Sequence, residues 1–196
     1  MPLADRVIAL FVRHPGVRSI EPAGSRAMGQ ARPDSDWDFL VETRDFDAVA
    51  AALPELIAPL QPLAAQWDRL SDEQCWMLIL RGPVKVDLIF PDEPHVHEPP
   101  WVASADNLEA IDAHLWDWLL WLRPKERSGK EELVSAELEK LSVHLLRPLG
   151  VERVPSSVAE AVELYRPARD AAAARLGCAV PRALEAEVAR ALLAES

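Results

Sequence analysis

Gly24-Ser25-Arg26-Ala27-Met28-Gly29-Gln30-Ala31-Arg32-Pro33-Asp34-Ser35-Asp36-Trp37-Asp38-Phe39-Leu40-Val41 is the stretch around which the rest of the chain is read. A Gly-Ser turn follows a short β-leaning run at 17–21, and an Asp-x-Asp pair, beginning 11 residues after Ser25, opens a second apolar run at 36–42. A third aspartate, Asp87, stands inside a third run, Val84-Lys85-Val86-Asp87-Leu88-Ile89-Phe90. Side chains two apart on a strand share a face, so the spacing predicts that Asp36 and Asp38 project together while Trp37 faces the core.

Two carboxylates so close repel each other, which raises the cost of ionising both. A divalent cation removes that penalty, and magnesium favours a few carboxylates together with substrate phosphates. With Asp87 on a neighbouring strand, the three acids make a site for two ions, one holding a triphosphate and the other activating an attacking hydroxyl. Burying an aspartate between Val86 and Leu88 is costly without a partner, so Asp87 asks for one. Gly24 permits a sharp turn and close approach to a ligand. Ser25 is expected to cap a short helix whose N–H groups, with the serine hydroxyl, suit an anion. The loop 30–35 then has to fold back for the phosphate and metal halves to meet.

The segment resembles the signature of the DNA polymerase β-like nucleotidyltransferase superfamily, in which Gly-Ser precedes Asp-x-Asp and a third acid follows on a later strand. More narrowly it is similar to the bacterial minimal and aminoglycoside nucleotidyltransferases, with Gly24, Ser25, Ala27, Gly29, Ser35, Asp36 and Asp38 matching their shared form. The resemblance spans residues 17–91. It implies an α+β fold with a nucleotidyltransferase-type mixed sheet and flanking helices, followed by an α-helical bundle. The implied reaction transfers a nucleoside monophosphate, usually AMP from ATP, onto a hydroxyl, with Mg2+ or Mn2+ and release of pyrophosphate. Asp36, Asp38 and Asp87 would carry the metals, and Asp87 would also help deprotonate the acceptor. Ser25 would contact the β/γ phosphates. A basic residue of the helical domain steadies the triphosphate in such enzymes, and Lys130, with Lys125 behind it, is the choice here.

The chain order agrees with two parts. Residues 3–14 have helical spacing at Val7, Ile8, Phe11 and Val12, and 45–60 read as a helix interrupted late by Pro54 and Pro59. Runs at 74–80 and 84–90 flank Arg81-Gly82-Pro83, which predicts an antiparallel pair with a tight turn. The proline-rich segment 91–100 is a plausible linker. The expected division is a catalytic domain at 1–91, a linker at 92–105 and a helical domain at 106–196. In the last part Leu108, Ile111, Leu115, Trp118 and Leu122, then Val134, Leu138, Leu141 and Leu145, step by three and four. Capping boxes are read at Asp106/Glu109, Ser128/Glu131 and Ser157/Glu160, and Pro181 in the first turn of a last helix ending near Leu193.

A net charge of −11 opposes a polyanionic acceptor. Nucleic-acid polymerisation is therefore ranked last, and a cationic small molecule, with an aminoglycoside as the example, is ranked first. Transfer of AMP to a partner protein, as in antitoxin systems, is the second reading, and a nucleotide-binding relative without catalysis the third. Cys75 and Cys178 are read as reduced thiols, too few and too far apart for a disulfide framework or a zinc site. Neither a signal pattern nor an apolar run of about 18 residues is present, which points to a cytoplasmic protein. Asp34 is read as a turn residue, and His95 and His97 as surface histidines rather than a metal pair. His114 and His144 are expected to flank the helical core. Trp116, Trp118 and Trp121 are read as interhelix packing, with a platform for a ligand ring as the alternative. Arg26 and Arg32 have two readings, phosphate contact or solvent exposure. Lys85 shares a face with Asp87 and has two as well, an ion pair with it or a phosphate contact.

Overall fold

The computed structural model describes residues 1–32, 35–95 and 98–193, the side chain of Leu193 excepted. Asp34 and His97 lie outside the described residues. The chain forms two compact units, Met1–Glu98 and Pro99–Ser196. Together they make an α+β protein, a five-stranded mixed sheet with helices followed by a helical region.

The first unit runs α1 (Leu3–Phe11), β1 (Val17–Pro22), α2 (Gly24–Ala27), β2 (Trp37–Thr43), α3 (Phe46–Ile57), a 3-10 turn at Ala58–Leu60, β3 (Ala64–Trp67), β4 (Cys75–Leu80) and β5 (Val84–Ile89). The sheet order is β1-β2-β5-β4-β3, antiparallel throughout except for the parallel pair β2–β5. Alternation places Phe39, Val41, Leu78, Leu80, Val86 and Leu88 in a core with Val7 and Phe11 of α1 and Val49, Leu53 and Ile57 of α3. The opposite face of β2 and β5 is thereby left to Asp38 and Asp87.

Local chemistry explains most boundaries. Asp45 caps α3 by accepting a hydrogen bond from Ala48 N at 3.1 Å. The helix continues through Pro54 to Ile57, contrary to the expected interruption, because the stripe Val49, Leu53 and Ile57 is locked into the core. α1 stops at Phe11, short of the anticipated His14, and Val12 is exposed. Between β4 and β5 the turn uses Gly82 at φ +105°, open to glycine. β3 had no forecast. It pairs with β4 so that Trp67 faces Trp76 edge-on, ring centroids 5.0 Å apart.

The second unit contains α4 (Leu108–Arg127), α5 (Glu131–Leu141), a π-helical turn at Ser142–Leu146, a 3-10 turn at Arg147–Leu149, α6 (Val158–Leu176) and α7 (Ala183–Leu193). Residues 111–117 of α4 are all buried, as befits a helix at the centre of a bundle. The forecast stripes hold apart from Trp118, which is half-buried and donates from Nε1 to Glu137 at 3.2 Å. Trp116 takes the core place instead, fully buried and edge-on to Tyr165. Trp116 thus has no exposed face to offer a ligand, and Trp121 carries the Lys125 ammonium at 3.9 Å.

Of the three capping boxes read from sequence, only Ser157/Glu160 forms, and only in its first half. Ser157 accepts from Glu160 N at 3.1 Å. The Glu160 carboxylate accepts from the Ser156 hydroxyl and N–H, one residue upstream of the cap, and the hydroxyl bond chiefly holds its pKa below the ordinary range. At α4 the cap position belongs to Asn107 rather than Asp106, and the Asn107 side chain is spent on Ser104 N and Val102 O. Ser128 turns backward to donate to Lys125 O at 2.9 Å, so α5 starts from Lys130 instead. Pro181 sits two residues ahead of α7, outside its first turn. Neither cysteine is in a disulfide among the described residues; Cys75 is buried and Cys178 half-buried. Among the described residues, no helix is long and apolar enough to cross a membrane.

Asp112, with 2 % of its surface exposed, accepts from Trp116 Nε1 at 3.1 Å, Tyr165 Oη at 2.5 Å and Arg169 Nη1 at 3.2 Å. Burial pushes its carboxyl pKa up, against the opposing pull of Tyr165 and Arg169. Burial, reinforced by Asp112, raises the Tyr165 hydroxyl as well. These three residues tie α4 to α6.

Candidate functional site

The parallel pairing of β2 with β5 sets Asp38 directly beside Asp87, with Trp37 opposite Val86 and Phe39 opposite Leu88. Register partners on neighbouring strands carry their side chains on the same face, so both carboxylates leave the sheet side by side. Both are half-buried. Only the fold could supply this pairing, because the two strands are separated by α3, β3 and β4 in the chain.

Gly24 closes against the pair. It adopts φ +61°, and a Cβ placed on it would stand 2.0 Å from Asp38 Oδ2 and 3.0 Å from Asp38 Cγ. Glycine is required both for the left-handed backbone and for the space. Ala23 N donates to Asp38 O at 2.7 Å, which pins the turn to β2 at the same residue. Ser25 is not the cap of α2, as expected from sequence. The helix is a single turn that begins at Gly24, with Ala23 in the cap position and no side-chain capping bond. Ser25 is its second residue and half-buried.

The return of the loop toward β2 is braced by Arg26. Its Nε donates to Asp36 O at 2.9 Å and its Nη2 to Ser35 O, while the guanidinium lies 4.0 Å from the Trp37 ring centre. Arg26 is thus half-buried rather than solvent-exposed, with Nε and Nη2 spent on the protein's own backbone. Arg32 has an exposed side chain, and its N–H donates to Ser35 Oγ at 2.9 Å. Asp36 is half-buried and stands immediately before β2, one residue short of the strand start expected at 36.

Lys85 settles on the ion pair. Its Nζ stands 2.7 Å from Asp87 Oδ1, the two side chains 6 % and 15 % exposed. A buried ammonium beside a carboxylate offsets the desolvation of both. His95 meets Gln74 Oε1 through Nδ1 at 3.0 Å. Lys130 is exposed at the start of α5 in the second unit.

Among the described residues, no group of three or more His, Cys, Asp or Glu side chains is gathered to hold a metal ion. Two adjacent carboxylates are nonetheless a sufficient protein donor set for magnesium, which completes its shell with water and substrate phosphate oxygens. The oxygen-only chemistry of Asp38 and Asp87, beside a turn where backbone comes close, fits a hard divalent cation.

No protein family and no curated protein matches the sequence. Among solved structures the chain is similar to the crystal structure of an aminoglycoside 6-adenyltransferase from Bacillus subtilis, with 11% identity, a TM-score of 0.38, and 96% of this chain and 95% of that one covered. At that distance a likeness says nothing of activity, and the chemistry has to come from the residues themselves.

Proposed function

We propose that the chain is a metal-dependent nucleotidyltransferase that moves a nucleoside monophosphate, AMP from ATP, onto a hydroxyl of a small, cationic, aminoglycoside-like acceptor. The observation that carries the reading is the side-by-side placement of Asp38 and Asp87 with the Gly24 backbone against Asp38. Asp38 and Asp87 would hold a divalent cation, with Asp36 adding a carboxylate from the edge of β2. When bound, the ion would supply charge neutralisation at the phosphates and a lowered pKa of the acceptor hydroxyl. Gly24 and Ser25 receive the β/γ phosphates. Asp87 takes the hydroxyl proton as oxygen bonds to the α-phosphorus, and the bond to the bridging oxygen breaks to release pyrophosphate. Lys85, with its Nζ 2.7 Å from Asp87 Oδ1, fixes that carboxylate in direction. The role of Lys130 rests on the sequence resemblance alone. The chain's net charge of −11 favours a cationic acceptor over nucleic acid.

The test incubates the protein with magnesium and each α-labelled triphosphate, then screens aminoglycosides and cell extract for labelled products. Labelling of a small hydroxylated molecule that disappears in Asp38→Asn supports the reading, and labelling that survives this change refutes the metal assignment. A labelled protein band would redirect the reading to AMP transfer onto a partner protein. A different second reading, nucleotide binding without transfer, is favoured by the Lys85–Asp87 ion pair, which engages one of the two acids. It predicts triphosphate binding with no pyrophosphate released by any acceptor.

A further inference from the structure

We infer that the groove between α6 and α7, wholly within the second unit, is a binding site for a phosphorylated small molecule. Arg166, Arg169 and Asp170 of α6, Glu185 and Arg190 of α7, and Arg182 just before α7 line a cavity of about 680 Å3. That volume falls in the range of small-molecule sites, roughly 300–1,000 Å3. Four positive charges meet two negative ones there, on a chain whose overall charge is −11. A concave surface that reverses the sign of its surroundings concentrates the opposite ion.

The carboxylates are already shared out. Glu185 accepts from Arg166 Nε at 2.7 Å, Arg169 Nη1 at 2.6 Å and Arg182 Nη1 at 3.0 Å. Asp170 accepts from Arg169 Nε at 3.0 Å and Arg182 Nη2 at 2.6 Å. Four guanidinium groups carry about twenty N–H donors, against about twelve acceptor positions on three carboxylates once Asp112 is counted, and Trp116 and Tyr165 take part of the last. The remaining N–H groups of Arg166, Arg182 and Arg190 face water, which a phosphate oxygen set can displace, since guanidinium forks match phosphate bidentately. Arg169 is 2 % exposed and anchored on Asp112 behind the wall, so the floor is rigid before any ligand arrives. Arg182, 50 % exposed, and Arg190 stand at the lip.

The experiment titrates the full chain with pyrophosphate by calorimetry in the presence of EDTA, which disables any metal-dependent triphosphate site. Saturable binding is expected, weakened at least tenfold in Arg190→Glu and in Arg182→Ala, with melting temperatures of both variants close to the parent. Ser25→Ala should bind as the parent does, which separates this site from the Gly24–Ser25 turn whatever the fate of the proposed transfer activity. Absence of saturable binding overturns the inference, as does parent-like affinity in Arg190→Glu or loss of binding in Ser25→Ala. Citrate binding more tightly than pyrophosphate would overturn the choice of phosphate.

Discussion

Replacing Gly24 by alanine places the first atom of a side chain where the structure has an Asp38 oxygen. Two costs follow. The backbone angle of +61° is a left-handed conformation, which costs a residue with a Cβ about 1–2 kcal/mol. The new Cβ would also stand 2.0 Å from Asp38 Oδ2 and 3.0 Å from Cγ, so the carboxylate must leave its rotamer. Off-rotamer strain of that kind adds roughly 0.5–1.5 kcal/mol. The total expected loss is about 1.5–3.5 kcal/mol. In an Asp38→Ala background the second cost disappears, because the remaining Cβ lies at an ordinary contact distance of 3.5 Å. Urea unfolding of the parent, both single variants and the double variant gives the coupling directly, expected at about 0.5–1.5 kcal/mol. A loss in Gly24→Ala that is equally large with and without the Asp38 carboxylate would refute the contact. A loss under about 0.5 kcal/mol would refute the backbone strain as well.

Removing the Asp87 charge leaves the Lys85 ammonium buried without its counter-ion, so Asp87→Asn is expected to lose about 3 kcal/mol in urea unfolding. The double change Lys85→Met with Asp87→Leu should recover most of that loss, because it removes both charges together. Arg26→Ala removes two hydrogen bonds from a charged donor to the loop carbonyls, at a cost of about 2 kcal/mol. Faster amide exchange at Asp36 and Trp37 in this variant would register the lost brace. Glu160 has a folded-state pKa below its unfolded one, so its contribution to stability is present above the unfolded value of about 4.5 and is lost as pH falls through the folded value. Glu160→Gln should therefore melt below the parent at neutral pH, and the gap should close on acidification past that window.

The left-handed turn at Gly24 and the strand carrying Asp38 were legible because each rests on local rules, a glycine at positive φ and a strand period of two. Arg81-Gly82-Pro83 likewise announced the β4–β5 hairpin. The parallel seating of Asp38 beside Asp87 was beyond local reading, since it depends on β5 being inserted between β2 and β4. The bracing role of Arg26 was hidden for the same reason: its partners are carbonyls 9 and 10 residues away that only the returned loop presents. β3 escaped because Ala64-Ala65-Gln66-Trp67 is short and weak in β-branched residues, and its pairing with β4 decides its state. Asp106 and Ser128 matched the capping pattern, but the helices begin beyond them, from Asn107 and Lys130, neither of which makes a side-chain cap. The Asp112–Tyr165–Arg169 network went unseen, though an acid beside Ile111 in a core stripe and a Tyr165/Arg169 pair four apart were visible signals.

The most direct test of the central claim is electron paramagnetic resonance of Mn2+ titrated into the chain with ATP. The paired carboxylates should hold the ion together with nucleotide in the parent, and Asp38→Asn and Asp87→Asn should each weaken that ternary binding at least tenfold. Ternary binding of equal strength in the parent and both variants would show that Asp38 and Asp87 hold no cation, and would contradict the account.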